Sequence, residues 1–180
     1  MKYFKHIDIG AAELAIRECV LENCKLDIGT GAPTVFHKNS LICTFIADQL
    51  PKLGIPDFVV IFTRPPNATC RIHIDGDRVT GALTNELALN IPIYNCDGSV
   101  MNWYGGDYSV VFSPNGRDSP HLFPKWNTPP FIAASTIINT PTIVRVNTPH
   151  DAMNTYNQTR LIISIRFKDG TALATNFNQE

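Results

Sequence analysis

Charge is scarce in this sequence. Of 180 residues only 17% are charged, and 15 basic against 16 acidic side chains leave a formal net charge of −1. There is no global basic field to draw nucleic acid or an anionic membrane surface to the chain, so any such partner would need a local patch. Long apolar runs are missing as well: the longest, Phe58 to Phe62, falls far short of the roughly 20 residues that a membrane-spanning helix needs. The opening Met1-Lys2-Tyr3-Phe4-Lys5-His6 meets Asp8 and Glu13 before any apolar stretch, so it does not read as a secretory signal, and a cytoplasmic location is expected. The five cysteines, Cys19, Cys24, Cys43, Cys70 and Cys96, form no CxxC and have no histidine at zinc-finger spacing. An odd count of this kind argues against a disulfide framework, and each is expected as a small buried apolar residue in a reducing compartment. There is no GxGxxG leading into a helix and no GxSxG elbow, which removes the dinucleotide and serine-hydrolase fingerprints. Internal repeats and low-complexity segments are also lacking.

What remains is a chain of a length suited to one domain over residues 1–180. Apolar residues recur at threes and fours over Ala11–Leu21 and Ser40–Leu50, predicting two helices, the second with Ser40 as its N-cap. Gly29 to Pro33 is loop sequence, and Pro51 and Pro56 stop the second helix. After residue 56 the texture changes. Phe58–Thr63, Thr69–Ile74, Leu87–Tyr94, Tyr108–Ser113, Thr142–Val146 and Arg160–Phe167 are short β-branched and aromatic runs divided by Gly, Pro, Asn and Asp. The predicted class is mainly β with N-terminal helices: a helical layer over 1–56, a β core over 57–168 in the form of a sandwich, barrel or jelly roll, and a tail over 169–180. Asn115 to Pro130, with four prolines, is expected as a functional loop or rim.

The chemistry concentrates in the second half. On a strand, His73 and Asp75 at i and i+2 project from one face and can bind a single metal ion. With His150 as a third ligand they form two imidazoles and a carboxylate, the facial triad of non-haem Fe(II) oxygenases, which leaves positions open for a co-substrate and oxygen. Asp75-Gly76-Asp77 is also good turn sequence, and His121 is a rival to His150. Over Arg160–Phe167, alternation puts Arg160, Ile162, Ser164 and Arg166 on one face and Leu161, Ile163, Ile165 and Phe167 on the other. One face is continuous hydrocarbon, and the other carries two guanidiniums able to grip a carboxylate, with Ser164 placed to add a hydroxyl. Over Leu87–Cys96 the same alternation groups Asn90 with Tyr94, with Pro92 marking an edge or bulge. Trp103, Tyr104 and Tyr108 are aromatics for a core or a pocket wall.

The segment Arg71-Ile72-His73-Ile74-Asp75-Gly76, with Asn147-Thr148-Pro149-His150 and Arg160 ten residues beyond, resembles the 2-oxoglutarate and Fe(II)-dependent oxygenase superfamily over about Asp57–Lys168. The resemblance implies a double-stranded β-helix, a cupin-like jelly roll braced by N-terminal helices. It implies His73, Asp75 and His150 as iron ligands and Arg160 as the partner of the distal carboxylate of 2-oxoglutarate, with Arg166 as the competing anchor. Asn90 and Tyr94, on the strand that lines the co-substrate pocket in the family, are implied as hydrogen-bonding partners. The implied activity is hydroxylation of a small molecule or peptide; the alternatives are a cupin-like jelly roll that binds a metal or ligand without activating oxygen, and a purely structural jelly-roll module.

Overall fold

A computed structural model describes residues 1–24, 33–76, 86–111, 121–167 and 169–179. Its elements in chain order are β1 (Phe4–His6), α1 (Ala11–Asn23), β2 (Thr34–His37), α2 (Leu41–Gln49), β3 (Pro56–Arg64), β4 (Ile74–Asp75), β5 (Leu87–Tyr94), β6 (Ser99–Gly105), β7 (Tyr108–Val111), β8 (His121–Trp126), β9 (Phe131–Ile137), β10 (Thr142–Arg145), β11 (His150–Asn154), β12 (Arg160–Phe167) and α3 (Thr171–Asn178).

Strand β12 is buried along all 8 of its residues, so both of its alternating faces must be covered. Leu161, Ile163, Ile165 and Phe167 enter an apolar cluster with Leu87, Leu89, Ile91 and Ile93 of β5 and Val59 and Ile61 of β3. Three helices close that cluster, each with residues one turn apart: Ala12, Ile16 and Val20 of α1, Ile42 and Ile46 of α2, Leu173 and Phe177 of α3. Burial of apolar area on this scale is the main source of stability for such a layer. Ser40 caps α2 as expected, its hydroxyl accepting from Cys43 N–H at 3.4 Å.

The strands form a six-stranded antiparallel sheet in the order β1-β10-β5-β12-β3-β2, and a second sheet in the order β11-β6-β9. Residues 69–73 extend the second sheet beyond β11 through bridges at Thr69↔Met153 and His73↔His150. Ala88, Val144 and Ile162 from the large sheet meet Met101 and Trp103 from the smaller one in a second apolar cluster, so the two sheets pack face to face. The chain passes repeatedly from one sheet to the other, and β10-β5-β12-β3 opposes the 69–73 segment, β11, β6 and β9. This is a double-stranded β-helix, a mainly β jelly roll. A further small sheet, β4-β8-β7, continues from the 69–75 segment.

Several expectations are corrected. Within Thr69–Ile74 the first residues make only isolated bridges, and the regular strand is Ile74–Asp75. The proline-rich segment is not simply loop: its described part contains β8, with Pro124 opposite Val110 of the hairpin partner. The terminal residues form α3 rather than a tail, because Leu173 and Phe177, one turn apart, have an apolar sheet face to cover. No described helix is long and apolar enough to cross a membrane.

Candidate metal centre and its cavity

His73 precedes β4 and His150 opens β11, and the backbone joins them directly. His73 N–H donates to His150 O, and His150 N–H donates to His73 O, each at 2.9 Å. This bridge sets the two rings 4.4 Å apart between centroids. Asp75, two residues on, turns its carboxylate to the same point: Oδ1 lies 3.5 Å from His73 Nε2 and 3.9 Å from His150 Nε2. The three candidate ligand atoms all fall within 4.8 Å of one another. Ligands sharing one ion at about 2.0–2.2 Å stand roughly 3 Å apart when adjacent, so a small side-chain adjustment closes this set on a metal.

The remaining ring nitrogens fit the same use. His73 Nδ1 lies 2.8 Å from Arg71 O and His150 Nδ1 lies 2.9 Å from Thr148 O. A carbonyl only accepts, so each Nδ1 carries the proton, and in a neutral ring the Nε2 lone pair is left for the metal. His150 is held neutral: burial, and then the neighbouring His73, lower it to about 3 from an ordinary 6.5. The sign of the consequence follows from proton counting. Below about pH 6.5 the unfolded chain takes up a proton that folded His150 refuses, so its contribution to stability is intact above that pH and is lost as pH falls toward 3, by up to about 1.4 kcal/mol per pH unit. Thermal melts of metal-free protein from pH 7 to pH 4 are expected to fall accordingly, with the slope reduced in His150→Gln.

The second carboxylate oxygen of Asp75 accepts from Arg166 Nη2. Arg166 Nη1 donates to Ser164 Oγ at 2.7 Å, and Ser164 Oγ donates to Asn90 Oδ1 at 2.6 Å. This chain of contacts corrects the placement of Ser164 beside Arg160. Ser164 serves Arg166 and not Arg160, because Arg160 lies four positions away, about 13 Å along an extended strand. Arg166 belongs to the metal end, where its guanidinium is paired with Asp75, six positions along β12 from Arg160. Arg160 is 3% exposed, and its Nη1 donates to Ser99 Oγ. Burial, and then Arg64, lower its guanidinium to about 10.

Between these ends runs a cavity of about 260 Å³ whose lining includes His73, Asp75, His150, Asn90, Ser164, Arg160 and Arg166. Tyr94 is outside it and 54% exposed. A register shift adjoins this residue, Leu161 facing Tyr94 while Ile162 faces Pro92, although Leu87, Leu89, Ile91 and Ile93 keep one apolar face of β5 throughout. Trp103 is a fully buried core residue, its Nε1 donating to Arg145 O at 2.7 Å, and Tyr108 packs on Trp126. Tyr104 OH donates to Asp151 Oδ2 at 2.7 Å, while Asn102 Nδ2 donates to Asp151 Oδ1 at 2.9 Å. Burial and the Asp151 contact push the Tyr104 hydroxyl far above its usual range, and the network fixes β11 beside His150. His121 is the backbone partner of Asp75 across β4 and β8; its side chain lies outside the described residues.

Sequence reasoning missed four lining or supporting groups: Arg64, Cys70, Arg71 and Ser99. Arg64 stands one residue past the expected strand Phe58–Thr63, on the same alternating face as Phe62, and that parity is the signal that would have found it. Cys43 and Cys96 are buried as expected, and all five cysteines are free. Cys70 behaves differently. Its Sγ accepts from Ala152 N–H at 3.0 Å and sits 3.9 Å from His73 Nδ1. Burial alone would raise this thiol, but His73, the Ala152 N–H and Arg64 outweigh it and lower the pKa.

Comparison with protein families finds no match, and no curated protein matches either. Among solved structures, the chain is similar to a Pseudomonas putida prolyl-4-hydroxylase at 12% identity, covering 94% of this chain and 95% of that one with a TM-score of 0.45. It is similar to a non-heme monooxygenase at 13% identity, covering 91% and 73% with a TM-score of 0.45, and to a cupin domain from Bordetella pertussis Tohama I at 12% identity, covering 77% and 93% with a TM-score of 0.36.

Proposed function

We propose that the protein is a non-haem Fe(II) and 2-oxoglutarate-dependent dioxygenase that hydroxylates a small molecule or a peptide side chain. The observation that carries this reading is the pairing of His73 Nε2, His150 Nε2 and Asp75 Oδ1 at one point with a buried arginine, Arg160, on the wall of the same cavity. Two imidazoles and one carboxylate suit a divalent ion that keeps open coordination positions. Bound there together, Fe(II) and the 2-oxo acid would, with O2 as the oxidant, supply oxidative decarboxylation to succinate and CO2 coupled to hydroxylation of a C–H bond, one oxygen atom entering succinate and the other the product hydroxyl. The protein's own part is positional. His73 and His150 present lone pairs fixed by Arg71 O and Thr148 O, Arg166 orients Asp75, Arg160 grips the far end of the co-substrate, and Phe62, Met101, Ile138 and Ile162 keep the space between dry.

The test is an anaerobic Fe(II) titration with and without 2-oxoglutarate. One Fe(II) should bind per chain, and a visible charge-transfer band should appear only when both are present. Fe(II) binding that ignores 2-oxoglutarate would sink the dioxygenase reading in favour of a cupin-like metal- or ligand-binding jelly roll.

A further inference from the structure

Arg64 and Arg160 are direct partners in the β3–β12 ladder. Like charges placed opposite one another in a sheet repel and destabilise it, and here the repulsion is set in a largely buried place. Both side chains line the cavity, and the Nε of each is buried without a hydrogen-bond partner among the described residues. Neither forms an ion pair among the described residues, where the cavity's carboxylate, Asp75, is taken by Arg166. The opposite-sign groups acting on Arg160 are the thiols of Cys96 and Cys70, of which burial pushes Cys96 up toward its neutral form. Two guanidiniums facing each other in a cavity without a matched counter-charge make a site for an anion supplied from outside. Cys70, whose Sγ stands 3.9 Å from His73 Nδ1, lines the same cavity as Arg64 and Arg160, so the site and the metal centre share one space.

We propose that Arg64 and Arg160 together form a two-guanidinium clamp for the remote carboxylate of a dianionic 2-oxo acid, so that Arg64 selects a dicarboxylate over a monocarboxylate. This rests on the dioxygenase reading above, and adds Arg64 to it as a specificity-determining residue. The clamp brings a second cation to one carboxylate, which offers four lone-pair positions and accepts from two guanidiniums without crowding.

Calorimetry with 2-oxoglutarate, 2-oxobutyrate and glutarate, on wild type and Arg64→Met, with and without Mn(II), tests it. In Mn(II)-loaded protein, Arg64→Met should weaken 2-oxoglutarate by about 10- to 100-fold while leaving 2-oxobutyrate and Mn(II) unchanged. The ligand-free variant should melt at or above wild type, since a repelling charge is gone. Unchanged 2-oxoglutarate affinity in Arg64→Met would overturn the clamp and leave the dioxygenase reading standing. A melting temperature well below wild type would also overturn it, because the guanidinium would then serve the fold. If wild type binds 2-oxoglutarate and glutarate equally, with or without Mn(II), and Arg64→Met loses both, the clamp stands and the dioxygenase reading falls. No binding of either acid to wild type would sink both.

Discussion

Asp75→Ala is expected to abolish Fe(II) binding and also to lower stability by about 3–5 kcal/mol, the usual effect of removing one partner from a buried ion pair. Viewed as a metal ligand alone, Asp75 would be lost without harm to the fold. The structure changes that expectation, because Arg166 is 7% exposed and its carboxylate partner is Asp75. Asp75→Ala therefore strands a guanidinium between β4 and β12. The double variant Asp75→Ala/Arg166→Met should recover most of the stability and none of the metal affinity. Thermal melts paired with anaerobic Fe(II) titrations separate the two losses. Wild-type iron affinity in Asp75→Ala would remove the metal centre as described, and a wild-type melt would remove the ion pair as a structural element.

Arg160→Leu is expected to weaken 2-oxoglutarate binding by about 30-fold to several thousand-fold, equivalent to about 2–5 kcal/mol for one member of a buried charge-assisted pair. Metal affinity should be spared, because Arg160 bonds Ser99 and stands away from Asp75. Arg166→Leu should give the opposite pattern. Its guanidinium holds Asp75 Oδ2 and Ser164, so its loss should weaken Fe(II) and stability first and co-substrate only through the metal. Calorimetry on Mn(II)-loaded variants distinguishes the two arginines. Equal effects of both substitutions on 2-oxoglutarate would contradict the placement of Arg166 at the metal end.

Strand β12 was legible from its alternation. Arg160–Phe167 carries hydrocarbon on one face and polar groups on the other, an ordinary pattern for a half-exposed strand. It becomes informative once Arg160, Ser164 and Arg166 prove buried, since buried polar faces line sites. The helices were legible from their turn-spaced apolar residues, and α2 from its Ser40 cap. The closeness of His73, Asp75 and His150 was legible only in part: the i and i+2 spacing fixes a shared face, but His150 arrives through a bridge in the fold that no local pattern encodes. Tyr94 falls outside the cavity because alternation fixes a face of the strand and not how far along it the cavity extends. Arg64, Cys70 and Ser99 were missed for a similar reason. The parity of Arg64 with Phe62 marks its face, but the importance of all three depends on which residues stand across the ladder or the cavity, and the partnership of positions 64 and 160 is set by the fold. The Arg166–Asp75 pair is another such long-range meeting.

The place of β12 bears on how the molecule assembles. It follows every other described strand in the sequence, yet in the six-stranded sheet it lies between β3 and β5, hydrogen-bonded to both. Until residues 160–167 are made, β3 and β5 have no ladder joining them, and each presents a raw edge rich in Val, Ile and Leu to any other nascent chain. Folding must await a closure that links positions about a hundred residues apart, which makes for high contact order and a slow final step. A polypeptide truncated before Arg160 would lack more than its arginines: it would be an unclosed barrel with two sticky seams, prone to clump and in need of a chaperone.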